Sequence, residues 1–538
     1  MINNIIIRTG LMSVAIAGLS ACTGNYLDLN TNPYEVGKDD MSTDGYNVGA
    51  AISAMCGTVI STDVNTAQFT DCLLGGPMGG YYSTTGAFER TIDNFNPTDD
   101  WTHVFMASDR VIPTLFSNLV ELQNLTEDEV VLSIGNVIKV AAMNRVTDTY
   151  GPIPYSKIGQ DGALSIPYDS QQEVYNKMFD ELNDAITVFT ENQGRMISAN
   201  ADPVYGGDVD KWCRFANSLK LRLAMRIVYA DRVKAEAMAE EAVSHPIGVL
   251  ASNDDNASLK AVAFGDKGNP IYTAVKYNQV SGSNTGGDTH AAADITAYMN
   301  AYNDPRRPKY FIASEFTGPG QEYVGVMVSG VKPVLSKDGR KYSGVNVSPT
   351  DPLIWMNAAE VAFLKAEAKA VFDFNMGAGT AEDFYNEGIR LSFDQWGVSS
   401  SYDSYVNDEN SVSVTYTDPI GVNTRTEVLT RLCVKWSEAA SQEEKQERIL
   451  IQKWIANYHL GNEAWADHRR TGYPKFFPAS DEGNKSNGVV KNDLGARRMP
   501  YPQNERTTNA ENYQKAVSEL LKGSDNMGTR VWWDCKPE

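Results

Sequence analysis

The stretch SQQEVYNKMFDELNDAITVF, residues 170–189, decides the fold. It opens on Ser170 with Glu173 three residues later, the pairing in which two side chains cap each other's backbone N–H at a helix start. From there the apolar residues fall at Tyr175, Met178, Phe179, Leu182, Ile186 and Phe189, the spacing of one helical face. Such a face needs a partner, and Trp212, Phe215, Ala216, Leu219, Leu223 and Ile227 repeat the spacing downstream. The two segments read as a hairpin of helices.

The same pattern recurs outward from that hairpin. Upstream, helices are expected over residues 101–122 and 127–147, the second with Thr126 and Glu129 as its capping pair. Beyond Pro352, Trp355, Ala358, Ala359, Ala362, Phe363, Ala366 and Ala370 share one face, followed by Phe384, Gly388, Ile389, Ser392 and Trp396. The alanine-rich face lets a neighbouring helix come close. A fourth pair is expected over residues 443–458 and 462–469. The chain therefore reads as mostly α: a scaffold of about four helix hairpins like tetratricopeptide (TPR) stacking. The period is not constant and the repeat consensus is absent, so no regular array is expected. Between the pairs lie Gly-, Asn- and Ser-rich segments (residues 73–100, 252–290, 302–349 and 399–430) too long for plain connections. They read as an irregular region with short strands, one of them within 321–329.

The amino terminus is of another kind. Arg8 precedes an apolar run from Leu11 to Leu19, and the run ends Leu19-Ser20-Ala21-Cys22. A charged start, a short apolar core and small residues before a cut define a secretory signal, and the core is too short to span a bilayer. The Leu-Ser-Ala-Cys ending resembles the lipobox at which a lipoprotein signal peptidase cuts before a diacylglyceryl-modified cysteine. We expect residues 1–21 to be a signal peptide, Cys22 the lipidation site, 22–41 a tether and 42–538 a single helical domain with long loop insertions. Later windows of membrane-spanning length all contain charge or turn residues.

The chain has 538 residues, 47 Lys plus Arg against 68 Asp plus Glu, and a formal charge of −21; loss of Arg8 with the leader makes it −22. So acidic a surface repels phosphate backbones and excludes nucleic acid as a partner. Five cysteines besides Cys22 are scattered with no CxxC. Cys56 and Cys72 either pair after export or stay as buried thiols.

Catalytic motifs are missing: no H-E-x-x-H, no G-x-S-x-G, no Walker loop. The five histidines show no metal-ligand spacing and read as surface or capping residues. Asp254-Asp255 fits no EF-hand loop and reads as a solvated turn. No catalytic residue, metal or cofactor is expected, although two carboxylates suffice for a glycosidase and composition does not exclude one. What stands out is aromatic residues inside polar loops: Tyr81, Tyr82 and Phe88, then Asn94 and Trp101, and further on Tyr277 and Asn278. Sugar C–H faces pack on rings and sugar hydroxyls take amide partners, so these residues are the candidate glycan site.

Several stretches together, in order, resemble the SusD/RagB family, in its second SusD-like branch. They are Asn30-Thr-Asn-Pro33, Asp148-Thr-Tyr-Gly-Pro-Ile-Pro-Tyr155, Trp212-Cys-Arg-Phe-Ala-Asn-Ser-Leu-Lys-Leu-Arg222 and Asn303-Asp-Pro-Arg306. To these add Ala358-Ala-Glu-Val-Ala-Phe-Leu-Lys-Ala-Glu367, Glu463-Ala-Trp-Ala-Asp-His-Arg-Arg-Thr-Gly-Tyr-Pro474 and Arg498-Met-Pro-Tyr-Pro-Gln-Asn-Glu505. Most look structural; Arg469 and Arg470 offer guanidinium forks to acidic neighbours. The resemblance implies a non-enzymatic receptor, lipid-anchored at the cell surface on the outer membrane. It also implies capture of a glycan and delivery to a SusC-like TonB-dependent outer-membrane transporter. A surface glycoside hydrolase, a structural transporter subunit and a peptide-binding receptor are the alternatives. The sequence does not name the ligand.

Overall fold

The computed structural model describes residues 45–86, 91–99, 105–106, 111–159 and 165–537. In chain order, the elements are α1 (Tyr46–Val59), β1 (Tyr82–Thr84), α2 (Ile112–Leu125), α3 (Glu129–Tyr150), α4 (Gln171–Glu191), α5 (Val209–Arg226), α6 (Arg232–Ser244) and β2 (Ala257–Leu259). There follow β3 (Thr289–Ala291), α7 (Ala293–Ala301), β4 (Phe311–Ile312), β5 (Gly344–Val345), β6 (Leu353–Met356), α8 (Ala358–Phe372), α9 (Ala381–Gln395), α10 (Gln442–Ala456) and α11 (Gly461–Thr471). Shorter helical turns are left unlabelled. At 49% helix and 5% strand, helix clearly exceeds the ~30–35% of an average globular protein.

Helix α4 forms as its sequence dictates. Ser170 Oγ accepts the Glu173 N–H at 3.2 Å and the Glu173 carboxylate accepts the Ser170 N–H at 2.8 Å. All six apolar positions of its face are buried. It packs on α3 and α5, α5 packs on α6, and α8 packs on both α9 and α10, so neighbouring hairpins stack through shared faces. At Gly388 in α9, an added Cβ would sit 2.7 Å from the Phe363 ring of α8. Only glycine lets these helices come so close.

Some boundaries differ from expectation. The cap of α3 is Asp128, whose side chain accepts the Val130 N–H, and Thr126 instead accepts the Asp128 N–H. Asp128 is two residues nearer the first turn, so the expected Thr126/Glu129 pair does not form. The expected helix start at Trp101 lies outside the described residues, and the helix begins at Ile112. By length and hydropathy α3 could cross a membrane, but most of it is buried within the fold. Residues 321–329 make a single bridge, Val326 to Ala292, rather than a strand. Helices α1, α6 and α7 have no counterpart in the sequence expectation; α6 has almost no apolar stripe and buries only Ala235, Ala239 and Ala242. Asp254-Asp255 lies in a short turn where Asp255 caps Ser252 and pairs with Arg214. Cys56 and Cys72 are buried free thiols, pushed up in pKa by burial.

The centre of the scaffold is charged. Arg222 on α5 pairs with Glu360 on α8 at 2.7 Å, and Arg226 with Glu463 on α11 at 2.6 Å. Lys453 on α10 reaches Asp467 at 2.7 Å and Glu463 at 3.3 Å. Arg470 grips Glu367 with both terminal nitrogens at 2.8 Å, and Arg226 approaches Asp148 of α3 at 3.5 Å. All are buried. Burial alone would push the Glu463 carboxyl up, but Arg226, Arg222 and Lys453 outweigh it and hold it well below the usual range. This network joins α3, α5, α8, α10 and α11, and its members come from the stretches Asp148–Tyr155, Trp212–Arg222, Ala358–Glu367 and Glu463–Pro474 or lie close beside them.

Candidate functional site

Strand β1 pairs antiparallel with β3, Tyr82 opposite Ala291 and Thr84 opposite Thr289, so two loop regions distant in sequence meet. The contact continues past the strands. Thr85 N–H donates to the Asp288 carbonyl at 2.7 Å, and Gly86 N–H to the Pro333 carbonyl at 2.8 Å. Beneath, Lys332 pairs with Asp93 at 2.6 Å and donates to Ser83 Oγ at 2.9 Å. Burial raises the Asp93 carboxyl, yet Lys332 outweighs this and leaves it below its usual value.

The outer part of this bed is the segment 271–288. Asp288 N–H donates to the Tyr277 carbonyl at 2.9 Å and Gly287 N–H to the Val275 carbonyl at 2.9 Å. A Cβ at Gly287 would fall 1.9 Å from the Tyr277 carbonyl oxygen, so only glycine permits this return. Asn278 adopts φ 58°, a conformation open to asparagine. Its amide donates to the Asp288 carboxylate at 2.7 Å, and burial pushes that carboxyl up. Tyr277 is thereby held on a fixed backbone and is 57% exposed. Beside it, the Lys276 ammonium lies 3.7 Å from the centre of the half-buried Tyr272 ring.

The structure thus brings Tyr277 and Asn278 to the surface beside Asp288, whose carbonyl accepts the Thr85 N–H. Phe88, Trp101 and Cys22 lie outside the described residues. Tyr81 and Tyr82 are a correction. They are 0% and 1% exposed, and neither ring has a face open to a sugar. Tyr81 stacks on Trp454 and donates to the Trp454 carbonyl at 2.5 Å; the Tyr82 hydroxyl meets His459 Nδ1. Asn94 is also buried, its carbonyl oxygen accepting the N–H groups of Thr91 and Asn96 at 3.0 and 3.2 Å. These three hold the bed in place. The histidines differ from expectation too: His290 is fully buried, and burial pushes His290, His459 and His468 down to about 4, whereas His245 caps α6 as expected. Asp288 is the site residue missing from the sequence expectation; only Gly286-Gly287 before it hints at a tight return.

A helix-hairpin scaffold that fixes an exposed aromatic ring and amide on a hydrogen-bonded loop bed has the form of a binding protein. The family model for SusD-like proteins, described as SusD and RagB outer membrane lipoproteins, matches residues 28–534. A SusD homologue from Bacteroides uniformis is 56% identical, with a TM-score of 0.88 over 91% of this chain and 100% of that one. A homologue from Bacteroides ovatus is 38% identical (TM-score 0.81, 92% and 100%), and a chitin-binding SusD homologue from Flavobacterium johnsoniae 34% (0.82, 91% and 99%). Among curated proteins none matches. The chain belongs to the SusD-like family, a class of nutrient- and glycan-binding outer-membrane lipoproteins.

Proposed function

We propose that this protein is a non-enzymatic cell-surface receptor, anchored through acylated Cys22. In this reading it captures glycans on the face carrying Tyr277 and Asn278 and delivers them to a SusC-like TonB-dependent transporter; Phe88 and Trp101 remain candidates from the sequence alone. The observation that carries the reading is Tyr277, a large ring exposed on a backbone that hydrogen bonds fix from below. A ring held out this way loses little conformational freedom when a sugar stacks on it. Chitin oligosaccharides are the first ligands to test, because a relative is chitin-binding. Calorimetry with a glycan panel should show Tyr277→Ala weakening binding about tenfold, about 1.4 kcal/mol, with the melting temperature unchanged. Unchanged affinity refutes the platform.

Delivery rests on a division of labour. An acyl chain and a tether of about 20 residues hold a receptor at the surface but move nothing through a bilayer. Affinity purification in mild detergent should recover a stoichiometric outer-membrane protein of transporter size. Its absence at low salt counts against the partnership.

A further inference from the structure

Acidic residues outnumber basic ones by 68 to 47 along the chain. The two segments joined at the outer part of the Tyr277 bed reverse that balance. Residues 271–288 and 331–345 hold Lys276, Lys332, Lys337, Arg340 and Lys341 against only Asp288 and Asp338. Part of this charge is taken up within the fold. Lys332 pairs with Asp93 at 2.6 Å, Lys341 pairs with Asp338 at 2.9 Å, and the Asp288 carboxylate accepts from Asn278 at 2.7 Å. Glu315 also borders the loop, and its carboxylate accepts the Asn284 amide at 3.2 Å. Lys276, Lys337 and Arg340 are left over. Among the described residues none of the three has a carboxylate partner, although the chain is rich in carboxylates.

Arg340 is fixed in place. The Thr285 hydroxyl donates to the Arg340 carbonyl at 2.6 Å, and Arg340 Nη1 donates to the Gly282 carbonyl at 3.0 Å. The second bond orients the guanidinium and leaves its Nε–Nη2 edge with no acceptor among the described residues. A planar anion takes such an edge through two parallel N–H···O bonds. Gly282 lies five residues from Tyr277, on a loop that folds back on itself. There Gln279 Nε2 donates to the Ser283 carbonyl at 2.8 Å, and the Ser283 N–H to the Val280 carbonyl at 3.1 Å. Five extended residues span at most about 18 Å, and the turn brings the two ends nearer. Lys276, next to Tyr277 in the chain, adds a second cation to the same loop.

We infer that this face selects an acidic oligosaccharide, whose uronate carboxylate or sulfate ester docks on the open edge of Arg340. A neutral hydroxyl can also accept from a guanidinium, but a hydrogen bond between two ions is roughly twice as strong as one between neutral groups. The formal charge of −21 on the whole chain does not oppose such a ligand. At physiological salt, charges more than about 8 Å apart are largely screened, so a short sugar on the bed meets the local cations. A long polyanion would also lie across the acidic remainder of the surface, which favours short chains. That the ligand is a glycan rests on the reading above; the unpaired cations do not.

The test is calorimetry on the mature protein with charged and neutral forms of one skeleton. Trigalacturonate is compared with its methyl ester, and a sulfated galactan oligosaccharide with its desulfated form. The wild type should bind the charged form of one pair about tenfold more tightly, and the pair that shows this distinguishes carboxylate from sulfate. Added salt should narrow the gap. Arg340→Gln should erase the preference at an unchanged melting temperature, because an exposed bond to one carbonyl contributes little to stability. Arg340→Lys, which keeps the charge and loses the fork, should restore part of it. Equal binding of charged and neutral forms, no binding of either charged sugar, or a folded Arg340→Gln variant that keeps the preference overturns the inference. Tyr277→Ala keeps the two readings apart. If neutral sugars bind through Tyr277 and charge adds nothing, the platform stands and the Arg340 site falls. If Tyr277→Ala binds the charged form as tightly as the wild type, the platform falls and the Arg340 site stands.

Discussion

Replacing Glu367 by leucine tests what the buried charges do. In the native protein both Glu367 oxygens are taken, each 2.8 Å from a terminal nitrogen of Arg470, and the carboxylate also accepts from Gln446 at 2.8 Å. Neither ion has any exposed side chain. Without Glu367, Arg470 keeps, among the described residues, only Asp467 as an acidic partner, at 3.2 Å, and Asp467 already serves Lys453 at 2.7 Å. Removing one partner of a buried pair leaves an uncompensated charge and costs about 3–5 kcal/mol. The compact unit spans residues 48–538. At about 2.1 cal/mol/K per residue its unfolding entropy is about 1 kcal/mol/K, so the melting temperature should fall by about 3–5 °C. In Glu367→Leu/Arg470→Leu the orphaned guanidinium is gone, and the double variant should be more stable than Glu367→Leu alone. Urea unfolding of the wild type, both single variants and the double variant measures the coupling. A loss under 1 kcal/mol for Glu367→Leu, or a double variant no better than the single, refutes the reasoning.

Two further outcomes follow from the site and the leader. His290, His459 and His468 are neutral in the fold, at about 4, against about 6.5 unfolded. Their contribution is complete above pH 6.5 and is lost as pH falls towards 4, at up to about 1.4 kcal/mol per pH unit each. Asp294, pushed up to about 7 by burial, works in the opposite sense, its contribution present at low pH and lost as pH rises through 7. The net loss between pH 6.5 and 5 should approach about 3 kcal/mol per unit, and urea midpoints that stay flat across this window contradict it. Cys22→Ala should release the protein from the membrane fraction and stop palmitate labelling; a labelled, membrane-bound variant disproves the lipid anchor.

The helical scaffold was legible wherever local chemistry decides. Ser170 and Glu173 sit three residues apart and need nothing else to start α4, and the apolar face of α5 falls where its spacing puts it. The site was legible only in part. Tyr81 and Tyr82 read as loop aromatics because their neighbours are Gly, Ser and Thr. What buries them is Trp454, Tyr458 and His459, more than 370 residues away. No local pattern carries such a contact. Tyr277 was legible because it stays exposed, but the support from Asp288 depends on a return that only Gly287 foreshadows. The cap of α3 shows the same limit at short range: Thr126 and Asp128 both offer an oxygen, and backbone geometry chooses between them.

The buried charges also explain how a scaffold without a regular repeat keeps its register. The α8 face that meets its neighbours is rich in alanine and is nearly featureless along its length; on hydrocarbon packing alone, a neighbour shifted by one turn loses little contact. Ion pairs are not so forgiving. Glu360 and Glu367 lie two turns apart on α8, and Arg222 of α5 and Arg470 of α11 each find one of them. A one-turn shift of about 5.4 Å would leave guanidinium and carboxylate groups buried and apart. That penalty exceeds the net stability such pairs contribute when correctly matched. The charges therefore act by making misaligned stackings costly. With register set inside the scaffold, the loop residues around Tyr277 are free to vary for the ligand without unseating the helices that carry them.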